Sequence, residues 1–287
     1  MKNYLDYKNK IFGLEEAAET IKASEKIAVS TISFLRQRSR ALSAYSLALE
    51  KILARLSLFY ENKNHPLIKG NQGRGGRVLL VISGERGMVG GLWYALAEKV
   101  FEERERYKKI VVIGEKGKKH LEDRGIEVQK SFVFSYPLPS EQEIGEAADF
   151  VFQNYLEKRA SAVDILYPSF ISFTITAPKI IQFLPFDFKR GQEDVEEGAA
   201  GSLGFPIFEP DKKAIFASLL KKYAAVSLRR IIFEAKLSEL TSRAITCEHS
   251  FEKAQDLIRK TRLEYYKERR ISITKAQQEA VLSRWAV

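Results

Sequence analysis

Two long stretches free of glycine and proline frame this sequence: residues 14–59, and the 77 residues that follow Pro210. In the first, alternating steps of three and four visit Leu14, Ala17, Ile21, Ser24, Ala28, Thr31, Leu35, Arg38, Leu42, Tyr45, Leu49, Ile52, Leu56 and Phe59. A seam repeating every seven residues over that distance is the pattern of a coiled coil. At 1.5 Å per residue it predicts a helix roughly 70 Å long, with Asn62, Asn64, Pro66 and Gly70 supplying the stop. The second stretch carries its own seam from Phe216, Leu219 and Tyr223 through Leu240, Ala244, Cys247, Phe251, Ala254, Ile258 and Thr261 to Tyr265. It fails beyond, where Glu268 and Ser272 come next. A continuous helix here would approach ~115 Å. Helices of such length need a partner to bury their stripe, and the other end of the same chain is the nearest one. The two ends are therefore expected to pair as an antiparallel coiled coil, with the far end of the longer C-terminal helix left unpartnered. Many seam positions are small or polar (Ala17, Ser24, Ala28, Thr31, Ala244, Cys247, Ala254, Thr261), which allows close approach but stabilises less than leucine would.

Charge divides along the same lines. Residues 1–60 carry a balance of +4 and residues 212–287 one of +9, which leaves −3 between them. Two basic ends around a slightly acidic centre suggest an environment shared by the ends, an acidic partner or a nucleic acid. No window approaches the ~18 consecutive apolar residues of a membrane span, and residues 1–6 lack the apolar core of a secretory signal. Cys247 is the only cysteine, so intrachain disulfides are excluded and a reducing compartment is expected.

The centre changes period. Residues 77–83, 109–114 and 162–167 are β-branched runs that predict buried strands, and residues 92–101, 116–124 and 140–159 read as helices. Strand–helix alternation predicts a three-layer, mostly parallel sheet, a central Rossmann-like α/β domain between the long helices. The expected division is 1–62 for the N-terminal helix, 74–205 for the α/β domain and 211–287 for the C-terminal helix packed on the first. Residues 192–204, rich in Glu and Gly, read as an exposed loop.

The glycine-rich turn after the first strand, Gly84-Glu85-Arg86-Gly87-Met88-Val89-Gly90-Gly91, invites a nucleotide-binding reading. Its glycines do not match the dinucleotide spacing, and no Lys-Ser/Thr follows as in a P-loop. Glu85 also brings negative charge to the place where phosphate would sit. The three histidines, His65, His120 and His249, are far apart in sequence and form no HExxH-like arrangement. No Gly-x-Ser-x-Gly elbow occurs. Glu15-Glu16 and Glu196-Glu197 are adjacent in sequence, and neighbours i and i+1 do not share a helix face. No catalytic site, cofactor site or metal site is expected.

The order of long helix, small α/β domain and longer basic helix resembles the gamma subunits of F-type ATP synthases. The turn Glu85-Arg86-Gly87-Met88-Val89-Gly90-Gly91-Leu92 is similar to that family's acidic-basic-Gly-Leu-Cys-Gly-Gly-Leu signature, and Ile113-Gly114-Glu115-Lys116-Gly117 to its Ile-Gly-x-Lys-Gly. Near the N-terminus Thr20, Lys22, Ile27, Val29, Leu35 and Arg36 stand where the family has Thr, Lys, Met, Met, Leu and Arg. The C-terminal helix resembles the family's without a gap through Ser238, Glu239, Arg243, Leu257, Ile258, Leu263, Tyr265, Lys267, Arg269, Ile273, Thr274 and Glu279.

The resemblance implies a non-catalytic rotor stalk turning inside a ring of alternating alpha and beta subunits. It implies an α/β domain against the epsilon subunit and the c-subunit ring, and a peripheral place on the cytoplasmic face of the cell membrane. Lys22, Ile27, Glu239, Arg243, Arg269, Arg270 and Thr274 would then be subunit-coupling contacts, with Arg243, Arg269 and Arg270 facing acidic loops of beta. Glu85, Arg86, Gly87, Gly90 and Gly91 would form the family's signature turn. The sequence departs from the family where Arg270 replaces a usual Gln, Ala276 stands in place of a Glu, and Ile27 replaces Met. The ending Leu282-Ser283-Arg284-Trp285-Ala286-Val287 also lacks the family's small Gly-Ala close. The competing expectation is a basic coiled coil that binds nucleic acid through Arg259-Lys260-x-Arg262 and Lys267-x-Arg269-Arg270. Against it stand the absence of a recognition motif and the interrupting Glu264 and Glu268. A nucleotide-dependent enzyme built on the central sheet fails on the glycine spacing.

Overall fold

A computed structural model describes residues 4–59, 65–71, 75–157, 159–186, 209 and 211–285. Its elements, in chain order, are α1 (Tyr4–Phe59), the single turn α2 (Pro66–Lys69), β1 (Arg77–Ile82), α3 (Leu92–Glu103), β2 (Tyr107–Ile113), α4 (Glu115–Glu122), β3 (Lys130–Phe132), α5 (Glu141–Leu156), β4 (Ala162–Phe170), β5 (Thr176–Leu184) and α6 (Lys212–Trp285). The expected loop at 192–204 and the stop at Asn62 and Asn64 lie outside the described residues. The chain gathers into two compact units, Met1–Val29 with Arg243–Val287, and Ser30–Ser242. Each long helix contributes to both.

In the larger unit five strands form one sheet in the order β3-β2-β1-β4-β5. β1 runs parallel to β2 and β4, and β2 runs parallel to β3. β5 returns antiparallel beside β4. Leu79, Val81, Ile110 and Val112 pack against Trp93, Leu96 and Val100 of α3 and Leu121 of α4. The opposite face carries Val78, Val111 and Val163 near Val151 of α5. Side chains alternate across a strand, so the apolar run of β1 feeds both layers, which is how a doubly wound sheet buries its strands. α5 starts at a capping box: Glu143 N–H donates to Ser140 Oγ, and the Glu143 carboxylate accepts from Ser140 N–H.

Two strands escaped the sequence reading. β3 is only three residues long, too short for a periodic signal. β5 holds Pro178, directly opposite Pro168 of β4; a proline that argues against a central strand is admitted here because β5 is the sheet edge.

One buried charge ties this sheet together. Asp164 on β4 accepts from the Arg77 guanidinium of β1 at both carboxylate oxygens (2.7 Å each) and from the Tyr107 hydroxyl of β2 at 3.0 Å. Burial, then Asp164, pushes the Tyr107 phenol up to about 12. Burial alone does the same to Tyr155, and burial with Glu234 does it to Tyr167.

The long helices pair within each unit. In the larger unit Ser46 Oγ meets Ser227 Oγ at 3.3 Å, and Lys222 lies over the Tyr45 ring. In the smaller one Lys22 lies over the Phe251 ring, Arg262 pairs with Glu15, and Tyr4 meets Tyr265. There rising numbers on α1 meet falling numbers on α6, so the pairing is antiparallel. The C-terminal seam is buried at Cys247, Ala254, Ile258 and Thr261, and every described side chain from Ile271 onward is exposed.

On α1 only half the predicted seam survives. Ala28, Leu35 and Leu49 are buried as expected, but Ala17, Arg38, Tyr45 and Ile52 are exposed and Thr31 is only half-buried. Ala18, Ile32, Ser46 and Leu53 are buried instead, at the positions just after Ala17, Thr31, Tyr45 and Ile52. The step after each shared position is four residues rather than three. The seven-residue repeat is unchanged, and the buried stripe turns by one residue about the helix.

The raised tyrosines set an alkaline limit. The folded chain keeps these protons while the unfolded chain releases them near ~10. Their stabilisation is therefore complete below pH ~10 and is lost as pH climbs toward about 12. Phenolate absorbance followed alongside the denaturation midpoint should show a group of tyrosines ionising only as the chain unfolds. Ionisation of every tyrosine near pH ~10 in a folded chain would contradict the assignment.

Candidate coupling surface

The signature turn follows β1 directly, and its residues have separate duties. Glu85 spans a gap: its Oε2 accepts from Glu115 N–H, the first residue of α4, at 2.9 Å, and its Oε1 accepts from Phe134 N–H at 2.8 Å. A carboxylate at a helix N-terminus satisfies donors that have no intrahelical partner. In a nucleotide-binding domain such donors face phosphate; here the chain's own carboxylate takes that role. Arg86 lies over the Tyr136 ring at 4.0 Å, and its carbonyl accepts from the Trp93 indole N–H at 3.0 Å. Gly90 sits at φ 60°, where a side chain would be strained, and non-glycine Met88 has the same φ. Gly91 caps α3, and a Cβ on Gly87 or Gly91 would meet nothing within 4 Å.

The residue that close packing does require to be glycine is Gly84, which the sequence reading did not place among the site residues. A Cβ there would lie 2.6 Å from the Glu239 carboxylate of α6 and 2.6 Å from the Trp93 ring. Gly114 and Gly117, from the second motif, are held to glycine by Ser83 in the same way. The Ser83 hydroxyl donates to the Ile113 carbonyl at 2.7 Å. Both glycine motifs and one turn of α6 thus converge on the carboxyl end of β1. The signal in the sequence was the Ser83-Gly84 pair closing the first strand.

Glu239 is 1% exposed and accepts from Lys236 Nζ at 2.9 Å, both side chains buried. Around it α6 is buried on nearly every side from Ile231 to Thr241. Glu234, on the same stretch, accepts from Ser169 Oγ of β4 at 2.9 Å.

The other predicted contacts belong to the smaller unit. Lys22 donates to Glu25 at 2.8 Å and lies 5.0 Å from the Phe251 ring centroid. Ile27 is 43% exposed. Arg243 is 1% exposed and lies one turn before the buried Cys247, whose thiol is pushed up by burial. Arg269, Arg270 and Thr274 are exposed, with Arg270 and Thr274 four residues apart on one helix face. Ile27, Arg269, Arg270 and Thr274 therefore present surface, while Glu239 and Arg243 do not.

The run Arg259-Lys260-x-Arg262 is less available to phosphates than its composition suggests, since Arg259 pairs with Asp256 and Arg262 with Glu15. No described helix is long and apolar enough to cross a membrane.

Two long helices pairing antiparallel, with a doubly wound α/β domain inserted between them in the chain, define a coiled-coil protein with a central sheet domain. The family model described as ATP synthase matches residues 3–281, and the chain belongs to that family. It is similar to the ATP synthase gamma chain of Paraburkholderia phytofirmans, 26% identical over 284 residues and covering 96% of each chain. It is similar also to that of Moorella thermoacetica, 25% identical over 277 residues, covering 96% of this chain and 95% of the other. Among solved structures, a chain of the Euglena gracilis mitochondrial ATP synthase rotor shares the fold with a TM-score of 0.63 at 14% identity, covering 94% of this chain and 98% of that one. A chain of the Tetrahymena thermophila central stalk and c-ring does so with a TM-score of 0.58 at 17% identity, covering 80% and 98%.

The glycines can be sorted by experiment. Gly84→Ala should cost about 1–3 kcal/mol through overpacking against Trp93 and Glu239. Gly87→Ala should stay within about 0.5 kcal/mol. Denaturant midpoints at unchanged slope measure both, and equal costs would remove the distinction.

Proposed function

We propose that the chain is the central rotor stalk of an F-type ATP synthase or ATPase, the subunit that couples rotation of a membrane ring to conformational cycling of catalytic subunits. The observation that carries this reading is the family match from residue 3 to residue 281, with relatives named gamma chain over nearly their whole length. The chain itself is non-catalytic: ATP chemistry belongs to beta. Its partners are the alpha and beta subunits of the hexamer, the epsilon subunit and the c-subunit ring, and it works as a peripheral subunit on the cytoplasmic face of the cell membrane.

Within that role the surface residues divide by exposure. Arg269, Arg270, Thr274 and Ile27 are proposed to touch the surrounding subunits, because they are exposed on the unit formed by the chain ends. Lys22, held by Glu25 and Phe251, and the buried Glu239 and Arg243 are proposed to act by fixing the helices that carry those contacts. No separate observation favours the nucleic-acid reading, and the pairing of Arg259 and Arg262 speaks against it.

Affinity capture of the full chain from its source, with partners identified by mass spectrometry, tests the assignment. Recovery of alpha and beta subunits with ATPase activity is expected; recovery of nucleic acid or an unrelated assembly without them would overturn it. In the recovered complex, Arg269→Ala or Arg270→Ala alone should lower coupled turnover by less than about fivefold, because an exposed ion pair contributes only ~0–1 kcal/mol. Loss of all coupling from one such change would show that torque is not shared among many contacts.

A further inference from the structure

Apart from the rotor contacts, the α/β domain holds a cavity at the amino end of β2 that none of its packing explains. It measures about 320 Å³ and is lined by Arg104, Tyr107, Lys108, Lys109, Ile110, Ile126, Glu127 and Gln129. The sheet leaves it open because β3 first pairs with β2 at Val111, opposite Lys130. The edge of β2 before that point is bordered only by the connection from α4, where Gln129 N–H donates to the Ile110 carbonyl at 2.9 Å.

A bulge shapes the lining. Arg77 of β1 pairs with Tyr107 and the next residue, Val78, with Lys109, so Lys108 is the extra residue. Regular alternation would send Tyr107 and Ile110 to opposite faces; the bulge puts both in the core cluster with α3. It also lets the consecutive residues Lys108 and Lys109 border the same cavity. Bulges commonly re-aim a side chain at a site.

The charge there is not balanced within the chain. Neighbouring cations have acids: Lys99 pairs with Glu102, Arg106 with Glu103 and Arg124 with Glu98. Among the described residues, Arg104, Lys108 and Lys109 make no ion pair, and Glu127 is the one acid in the lining. Three cations, the buried Ile110 and Ile126, and the exposed Glu127 and Gln129 line the cavity, which makes a place for an anion attached to a small body. The volume lies at the lower end of the range for small-molecule sites.

We propose that this cavity binds a phosphate group carried on a small polar molecule, with Arg104 and Lys108 as the main phosphate contacts and Lys109 adding charge. The guanidinium fork suits phosphate oxygens, and lysine acts as a point charge beside it. Glu127 accepts a hydroxyl or amine of the carrier, which limits the charge a ligand can place at the rim. A soluble phosphoester and a phospholipid headgroup present the same chemistry here.

The test uses the full chain. Isothermal calorimetry with pyrophosphate and with ADP reads the soluble source, and co-sedimentation with phosphatidylglycerol vesicles against phosphatidylcholine vesicles reads the lipid source. Saturable binding of at least one probe is expected, weakening as salt rises. Arg104→Gln and Lys108→Gln should each weaken it by about tenfold. Lys99→Gln, at a cation already paired elsewhere, should leave it unchanged. Glu127→Gln, an exposed substitution without folding risk, should tighten phosphate binding severalfold. Binding to none of the probes would overturn the proposal. So would binding that responds equally to Lys99→Gln and Arg104→Gln, or that ignores Glu127→Gln, since either marks a general basic surface.

Discussion

The Lys236–Glu239 pair on α6 is the interaction around which the larger unit is arranged. Taking two charges out of water costs several kcal/mol per ion, and their attraction offsets this only where the geometry is held. Here it is held from several directions. β1 ends in Gly84, so that the Glu239 carboxylate can come against the backbone. Trp93 is pinned by its indole hydrogen bond to Arg86. Ser83 fastens the end of β1 to the end of β2, and Gly114 and Gly117 let α4 approach it. A long helix with a seam of small residues can slide by a heptad at little loss of apolar burial. Lys236 and Glu239 would slide together, but Glu239 meets the open backbone of Gly84, and Glu234 meets Ser169 of β4, in only one register. The pair itself adds little net stability; the contacts of Glu239 with Gly84 and of Glu234 with Ser169 set where α6 lies along the sheet.

That account also explains what could be read from the sequence. The long helices were legible because period and the absence of glycine and proline are one-dimensional properties. The heptad length on α1 was legible for the same reason, but its phase was not. Ala17 and Ala18 are chemically the same, and Tyr45 and Ile52 look more like core residues than Ser46 does. The choice between a step of three and a step of four is decided by the partner: Ser46 is buried because Ser227 faces it. On α6 the expected stripe holds at Cys247, Ala254, Ile258 and Thr261. In the larger unit it turns by one residue as on α1, with Leu220, Ala224, Ser227 and Ile231 buried where Leu219, Tyr223, Val226 and Arg230 were expected. The glycine turn was recognised as a motif, yet its one sterically obligatory close approach, at Gly84, involves Glu239, more than 150 residues away in the chain. Glu239 and Arg243 were read as surface contacts from resemblance; their burial depends on packing that no local pattern encodes.

Asp164 makes the same point in the sheet. Within a run of Ala, Val, Ile, Leu and Tyr an acid reads as an interruption, although the strand was still found. Its partners, Arg77 and Tyr107, stand at the starts of two other strands, and together they bind β1, β2 and β4 at the end opposite the glycine turn. The sheet is thus closed at both ends by polar contacts between strands or with α6, while its middle is apolar. Such contacts supply specificity that a uniformly apolar sheet would lack, since a one-residue slip of any strand would strand a buried charge.

The same arrangement decides why a doubly wound domain here does not become an enzyme of the usual kind. In such sheets ligands bind outside the carboxyl ends of the strands, where the winding reverses direction. With the order β3-β2-β1-β4-β5 the reversal falls between β1 and β4. The carboxyl end of β1 is where Glu239 presses against Gly84, and the N-terminus of α4 is neutralised by Glu85. A phosphate brought to this place would meet the Glu85 and Glu239 carboxylates, and bringing like charges together there is unfavourable. The crevice that would hold a cofactor has become the seat of a helix. What the fold supplies is a platform whose strand ends are pinned, suited to hold α6 against a sideways load.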